Sequence, residues 1–185
     1  MSRAFARRVR YRVRQFVSAI RAGLSPLSEA QTAEVRANLP EEAWRLFRAM
    51  PRQDQRHGLE VLHTLRATGE VPPALAQAAL LHDCAKHRGG IRLWHRVAVV
   101  LLKAFDPGRM ARWRAMEAPA PGGWRYPFWA HMHHPEHGAQ LAAEAGCDPL
   151  AVALIRHHGD PPGPGALDPR TQNLFERLRA ADDDN

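Results

Sequence analysis

The chain has 185 residues, of which 45% are hydrophobic and 24% are charged, ordinary values for a single globular domain. Two cysteines, Cys84 and Cys147, are too few for a disulfide framework, which excludes the small disulfide-stapled class and favours a reducing cytoplasm. The longest apolar run (97–102) is too short to span a bilayer, and no signal peptide is visible. We therefore expect a cytoplasmic protein without a transmembrane segment.

The formal net charge of +7 is concentrated in arginines at the N-terminus, where seven lie before residue 22 and the first acidic residue is Glu29. Such a surface favours polyanions, although charge alone names no partner. Apolar residues in this segment recur at intervals of three and four, which predicts an amphipathic helix (Phe5, Val9, Val13, Phe16, Val17 and Ile20). We expect this helix to dock on the domain; a membrane-surface helix and an organelle-type presequence are the alternatives.

Apolar periodicity and proline or glycine breaks predict four further helices in the first half of the chain. They cover about Ser28–Leu39, Glu41–Met50, Gln53–Ala67 and Ala74–Lys86. Gly69 closes the third of these four, and Gly89-Gly90 ends the fourth.

The second half of the chain also shows helical patterns and no strand pattern. A buried core helix is predicted over Leu93–Phe105, ended by 106–108, and a loop over 118–126. Further helices are predicted over Pro135–Ala145, from the cap Asp148-Pro149 to His158, and from the cap Asp168-Pro169 to Asp182, with a loop at 159–167. The fold class is therefore all-α, with an N-terminal helical extension (1–50) packed on a main domain (51–185).

All eleven histidines lie between His57 and His158, and imidazole is the commonest side-chain ligand of transition metals. The adjacent pair His82-Asp83 follows the apolar run 78–81, where two polar side chains would be costly to bury without strong partners. A solvated helix end would also explain this pair if it stood alone. Other ligand-type residues at helix ends or core boundaries make a metal site between packed helices the better interpretation (His57, His134, His157, His158 and Asp182).

The order H…HD…H…H…D resembles the HD superfamily of metal-dependent phosphohydrolases over about residues 53–185. The most specific segments are AALLHDCAK (78–86), His57-x-x-x-Val61, His134-x-x-x-Gly138-Ala139 and Ile155-Arg156-His157-His158. The first and third are most similar to the bacterial branch that splits dinucleoside tetraphosphates. The segment HHGDPPGPG lacks the DGxGYP continuation of the cyclic-dinucleotide branch.

This resemblance implies an HD-type helical bundle and a ligand set by position. His57, His82, Asp83 and Asp182 match the core ligands, whereas His134 and one of the pair His157-His158 match the extra ligands of two-metal members, with Asp83 bridging. Lys86 matches a position near the substrate phosphate. We favour His157 within its pair; His133 or His137 could replace His134, and Asp183 or Asp184 could replace Asp182.

The resemblance and the ligand types together predict a hydrolase that acts on a nucleotide or another small phosphate ester or anhydride through a metal-activated water. Mixed nitrogen and oxygen ligands suit one or two ions of Mn, Fe, Co, Ni or Zn. Asp83 and Lys86 are the predicted catalytic residues. The alternative is a non-catalytic HD-fold regulatory or binding module whose basic N-terminal helix contacts nucleic acid or membrane; nucleic acid is not the favoured partner.

Overall fold

The computed structural model describes residues 25–87, 89–90, 95, 106–159 and 167–185. These residues form eight helices and no strand, so the predicted all-α class is confirmed. The helices are α1 (Glu29–Asn38), α2 (Glu41–Ala49), α3 (Arg52–Thr68), α4 (Pro73–Leu81), α5 (Pro107–Arg114), α6 (Tyr126–Glu144), α7 (Pro149–His157) and α8 (Pro169–Asp183). Among the described helices, none is both long enough and apolar enough to cross a membrane.

Helix α4 lies at the centre of the fold because small apolar side chains cover most of its circumference. Every residue of α4 except Pro73 and Gln77 is buried. Its alanines let α3 and α7 approach it closely, and α8 packs on both of these neighbours. Helix α6 runs along α7, and α8 contacts α3, α4 and α7.

One hydrophobic cluster contains most of the buried side chains of the described chain. Val35 of α1 and Phe47 of α2 belong to it, as do Leu62, Leu80 and Ile155 from the later helices. Helices α1 and α2 therefore contribute to the same core as the rest of the described residues. The division into a 1–50 extension and a 51–185 domain stays a prediction, since residues 1–24 lie outside the described range.

Several helix boundaries agree with the sequence prediction because local side chains determine them. Ser28 accepts a hydrogen bond from the backbone of Gln31, and the Gln31 side chain accepts from the Ser28 backbone, a capping box that begins α1. Asp148 and Asp168 cap α7 and α8 in the predicted places, and each is followed by proline at the first helical position.

Three boundaries differ from prediction. Helix α4 ends at Leu81 rather than Lys86, and the following residues form tight turns in which the Cys84 N–H donates to the Leu81 carbonyl. Helix α6 begins at Tyr126 rather than Pro135 and continues through that proline. A helix, α5, begins at Pro107, where we expected only a break; the Asp106 side chain accepts from the Arg109 N–H at its start. The helices predicted over Phe5–Ile20 and Leu93–Phe105 lie outside the described residues, apart from buried His95.

Candidate metal centre

Six ligand-type side chains meet where the C-terminal ends of α4, α7 and α8 approach α3 and α6. They are His57 of α3, His82 and Asp83 after α4, His134 of α6, His158 after α7 and Asp182 in the last turn of α8. A helix C-terminus carries a partial negative charge. Three such ends at one place favour a bound cation.

The first part of this cluster, called here the outer half, consists of His57, His82 and Asp182 together with Asp83. Asp182 Oδ1 lies 2.8 Å from His57 Nε2 and 3.3 Å from His82 Nε2. His82 Nε2 is also 3.8 Å from Asp83 Oδ2. The outer half is partly open, since the side chains of His57 and Asp182 are 24% and 32% exposed.

The second part, the inner half, consists of His134 and His158 together with Asp83. His134 Nε2 is 3.2 Å from Asp83 Oδ1, and His158 Nε2 is 3.7 Å from the same oxygen. The two imidazole Nε2 atoms are 3.1 Å apart. Both side chains are at most 10% exposed, so this half is closed to solvent.

Asp83 belongs to both halves, because its two carboxylate oxygens point to different histidines. Each half contains three ligand atoms close enough together to hold a metal ion, His57–His82–Asp83 in one and Asp83–His134–His158 in the other. The rings of His82 and His158 also meet edge to face, with centroids 5.1 Å apart. The geometry is therefore one continuous cluster around a shared carboxylate.

Backbone carbonyls orient three of the four imidazole rings in the same way. The Nδ1 atoms of His82 and His158 contact the carbonyl oxygens three residues earlier, Ala79 O at 3.0 Å and Ile155 O at 2.7 Å. Each of these carbonyls lies in the last turn of a helix, where carbonyls lack helical donors. The ends of α4 and α7 thus hold the rings with Nε2 facing the cluster.

His134 uses the same contact in the middle of a helix, and Pro135 makes this possible. Proline has no N–H, so the carbonyl four residues before it, that of His131, receives no helical hydrogen bond from it. His134 Nδ1 donates to that carbonyl instead, at 2.5 Å. The proline inside α6 therefore supplies the acceptor that turns His134 Nε2 toward Asp83.

These contacts determine the protonation of the rings. A carbonyl oxygen only accepts, so Nδ1 of each oriented histidine carries the hydrogen, and in the neutral ring Nε2 presents a lone pair. The Nε2 lone pairs of His134 and His158 then face each other and the carboxylate, an arrangement that requires a proton or a metal cation between them. Burial lowers the pKa of His158, although its contact with Asp83 opposes this.

The carboxylates are held in the ionised form that ligates metals. Burial would raise the pKa of Asp83, but the charges of Lys86 and His82, together with its contacts with the imidazoles of His134 and His158, hold it well below its usual value. Burial of Asp182 is likewise outweighed by its contacts with the imidazoles of His57 and His82, which keep its pKa far below the ordinary range. For His82, burial lowers the pKa but the charges of Asp83 and Asp182 raise it, so its ring attracts a cation or a proton.

The spacing of the donor atoms also suits a metal shell. A nitrogen or oxygen ligand about 2.1 Å from a transition metal has neighbours about 3.0–3.4 Å away in an octahedral or tetrahedral shell. Three contacts of the cluster fall in this range: 3.1 Å between His134 and His158, 3.2 Å between His134 and Asp83, and 3.3 Å between His82 and Asp182. His82 Nε2 is buried and lacks an aligned hydrogen-bond partner among the described residues. The donor set therefore fits divalent cations.

Lys86 contacts this cluster from the outer side. Its Nζ lies 2.6 Å from Asp83 Oδ2, and the lysine side chain is 22% exposed. The lysine side chain is thus largely covered, and its ammonium group lies beside the shared carboxylate. Both predicted catalytic residues, Asp83 and Lys86, are therefore neighbours in the structure.

The structure distinguishes between the alternatives that the sequence left open. His158, not His157, lies beside Asp83, which corrects the preference for His157; consecutive residues of a helix diverge by about 100°, so only one can face the interior. His133 and His137 contact the ring of Trp129 instead, with centroids 4.4 and 5.4 Å away.

The three aspartates at the C-terminus also differ in position. Asp182 is the aspartate of the cluster, whereas Asp183 is 75% exposed and lies 3.9 Å from Arg179. Asp184 is the C-terminal cap residue of α8.

Sequence reasoning missed two positioning residues, Gly58 and Pro135. An added Cβ at Gly58 would lie 2.9 Å from the Leu80 carbonyl and 3.2 Å from the Ala79 carbonyl, so only glycine lets α3 approach the end of α4 this closely. That approach brings His57 to His82. The glycine directly after His57, and a proline directly after His134, were the available signals.

Comparisons of this chain with protein-family models, with curated proteins and with solved structures find no match. The geometry of the cluster is therefore the basis for a functional proposal.

Proposed function

We propose that this protein is a metal-dependent phosphohydrolase of the HD type, with a two-ion centre bridged by Asp83. The observation that carries the proposal is the position of Asp83 between two groups of histidines. Its Oδ1 lies near His134 and His158, and its Oδ2 lies near His82. A carboxylate with one oxygen toward each of two nitrogen-rich groups is suited to bridge two cations.

The donor set favours transition metals over magnesium. Four imidazoles and two carboxylates face the cluster, and all-protein magnesium sites prefer oxygen ligands. Mn, Fe, Co, Ni or Zn would each suit such mixed ligation. Divalent ions held by these residues would supply Lewis acidity to activate water and polarise a phosphoryl oxygen.

The chain's own residues would then bind and orient the substrate. The outer half is the accessible one, because His57 and Asp182 are partly exposed, so the phosphate would enter from that side. Lys86 lies at this edge and would donate hydrogen bonds to a phosphate oxygen. The buried inner half excludes water from one side of the shared carboxylate.

The proposed substrate is a nucleotide or another small phosphate ester or anhydride. The segments 78–86 and 134–139 resemble the branch that splits dinucleoside tetraphosphates, which makes these compounds the first to assay. No separate side-chain nucleophile is required, because activated water serves this role in metal-dependent hydrolysis.

The proposal is tested by measuring metal content and turnover on the full chain. Purified protein is analysed for bound metals, supplemented with Mn²⁺, and assayed against nucleotides and dinucleoside polyphosphates beside Asp83→Asn. Asp168→Asn is the matched control, since asparagine caps a helix as well as aspartate does and Asp168 lies outside the cluster. We expect Asp168→Asn to retain turnover and Asp83→Asn to lose it, with circular dichroism showing that both variants fold.

The other outcomes are equally decisive. Protein that binds no metal and shows no Asp83-dependent turnover would exclude the enzyme. Protein that binds metal through Asp83 but turns over none of these compounds would favour the non-catalytic binding module.

A further inference from the structure

A basic and aromatic surface lies on α5 and on the loop that leads to α6. We call it the arginine–tryptophan patch and define it by Arg109, Arg112, Trp113, Trp124 and Arg125. Within residues 106–125 the sequence has four arginines against two acidic residues, Asp106 and Glu117. The proposed chemistry of the metal centre uses none of these side chains.

The patch is ordered by a continuous series of ring contacts. The Arg109 guanidinium lies 5.6 Å from the centre of the Trp113 ring, and the Arg125 guanidinium lies 4.9 Å from that of Trp124. The two tryptophan rings meet edge to face at 6.0 Å. Trp113 also contacts Phe128 of α6, which anchors the series to a small cluster of buried side chains.

This series leaves a large apolar side chain in water. Trp124 is 63% exposed and Met116 is 38% exposed, and these are the exposed large hydrophobic side chains of the described chain. Holding the loop in place does not require an exposed ring, because a covered Trp124 would make the same ring contacts. Exposed apolar side chains rimmed by charge are typical of binding surfaces.

The arginines of the patch are available to an external anion. Arg109, Arg112 and Arg125 form no ion pair with any carboxylate that the structure describes. An arginine stacked on an aromatic ring keeps the N–H groups at its edge free to bind phosphate oxygens.

The shape of the surface favours a flat partner over single-stranded nucleic acid. Every residue from 114 to 125 except Pro119 is exposed, and the pocket beneath this loop is small and mainly apolar rather than a basic groove, with Arg125 as the one charged side chain in its lining (Trp113, Met116, Pro119, Arg125, Trp129 and Met132). Single-stranded nucleic acid binds in grooves that follow its backbone and stacks its bases on free ring faces. Here one face of each tryptophan is already occupied by a guanidinium group.

We propose that the arginine–tryptophan patch docks the protein reversibly on a bilayer that contains anionic lipids. Trp124 and Met116 enter the headgroup region, where indole rings are favoured, and the arginines contact lipid phosphates. This inference does not depend on the proposed hydrolase activity.

The test is sedimentation of the full chain with vesicles of phosphatidylcholine and phosphatidylglycerol, compared with vesicles of phosphatidylcholine alone. We expect binding to the anionic vesicles that weakens with salt. Trp124→Ala should lower the partition coefficient on the order of tenfold. Arg109→Gln and Arg112→Gln should each lower it about fivefold.

Arg170→Gln is the matched control, because Arg170 is an exposed arginine on α8, a helix that packs mainly on α3 and α7. We expect it to bind vesicles as the unchanged protein does. All variants retain residues 1–24, so a loss of binding reports on the patch and not on the basic N-terminus. Thermal unfolding followed by circular dichroism checks that each variant is folded.

Three results would overturn the proposal. The unchanged protein could fail to bind anionic vesicles, or the folded patch variants could bind them as well as the control does. The third result is that the patch variants keep vesicle binding but lose binding to a single-stranded oligonucleotide, measured by fluorescence anisotropy; this would assign the patch to nucleic acid.

Discussion

The two halves of the histidine–carboxylate cluster share Asp83 but differ in how they are built. The inner half is closed to solvent, and backbone carbonyls orient both of its imidazole rings. The outer half is partly open, and its contacts join α3 to the end of α8, 125 residues apart in sequence. Local contacts thus fix the ring orientations of the inner half, while the position of His57 in the outer half depends on packing against a distant helix.

This difference indicates a separate role for each half. Rings that are oriented in advance lose little freedom when a cation binds, so the inner half should hold its ion more tightly. The open half should exchange its ion faster and meet the substrate. The following variants separate the two halves, from the largest expected effect to the smallest.

The shared carboxylate gives the largest effect. Asp83→Asn should lower the binding affinity for both ions by more than about 100-fold, because it removes the negative charge common to the two halves. Asp182→Asn should lower the affinity for the ion of the outer half only, since Asp182 contacts His57 and His82 alone among the histidines of the cluster. Mass spectrometry of metal content after dialysis measures both. Retention of both ions by Asp83→Asn would contradict a bridging role.

Removal of an inner ligand should affect the inner ion alone. We expect His158→Gln to lose this ion, because His158 Nε2 faces both Asp83 and His134. His157→Gln is the matched control on the adjacent residue and should keep both ions. Isothermal titration with Mn²⁺ or Zn²⁺ gives the two affinities. The reverse outcome, in which His157→Gln loses the ion, would mean that the end of α7 is turned differently in the metal-bound protein.

Pro135→Ala tests whether a freed carbonyl orients His134. Alanine restores an N–H that competes for the His131 carbonyl, so the inner ion should bind about 10–100-fold more weakly. Helix stability should not fall, since alanine is favoured over proline in a helix interior by about 3 kcal/mol. Metal affinity and thermal stability should therefore be uncoupled in this variant.

Pro127→Ala is the control for this substitution, because Pro127 lies in the first turn of the same helix, where its missing N–H would have no helical partner. It should change neither metal affinity. Equal losses in both proline variants would indicate a general effect of α6 on the cluster.

Gly58→Ala should give the smallest effect, and mainly in the outer half. Its Cβ would press on the Ala79 and Leu80 carbonyls, and overpacking of this kind costs about 1–3 kcal/mol, offset in part by about 1 kcal/mol of helix propensity. Since the Ala79 carbonyl orients His82, the outer ion should also bind more weakly. Denaturant unfolding and metal titration measure the two effects.

Gly138→Ala is the matched control on α6. Its Cβ would meet Cys84 Sγ and Ile155 Cγ2 at 3.4 Å, a contact at the edge of the ordinary range. We expect its free energy of unfolding to stay within about 0.5 kcal/mol of the unchanged protein, because added helix propensity offsets the closer packing. If the two glycine variants lost equal stability, the close approach of α3 to α4 would have no special cost.

Local signals explain what could be predicted of the fold. Ser28, Asp148 and Asp168 each cap a helix through neighbouring backbone groups, and such contacts are visible in the sequence. The end of α4 at Leu81 and the passage of α6 through Pro135 could not be predicted this way. At both places an imidazole Nδ1 bonds to a backbone carbonyl beside the histidine–carboxylate cluster. Packing between helices determines whether such a bond forms.

The sequence by itself determined the all-α class and the kinds of side chain available for a metal site, because apolar periodicity, caps and ligand types are local properties. It narrowed the candidates to a few positions but could not separate neighbours such as His157 and His158. Only the tertiary structure decided which ring faces Asp83, since that depends on the rotation of α7 against α6. The structure also brings Asp83 between two groups of histidines, an arrangement that the resemblance implied and that exists only once α3, α4, α6 and α7 are packed together.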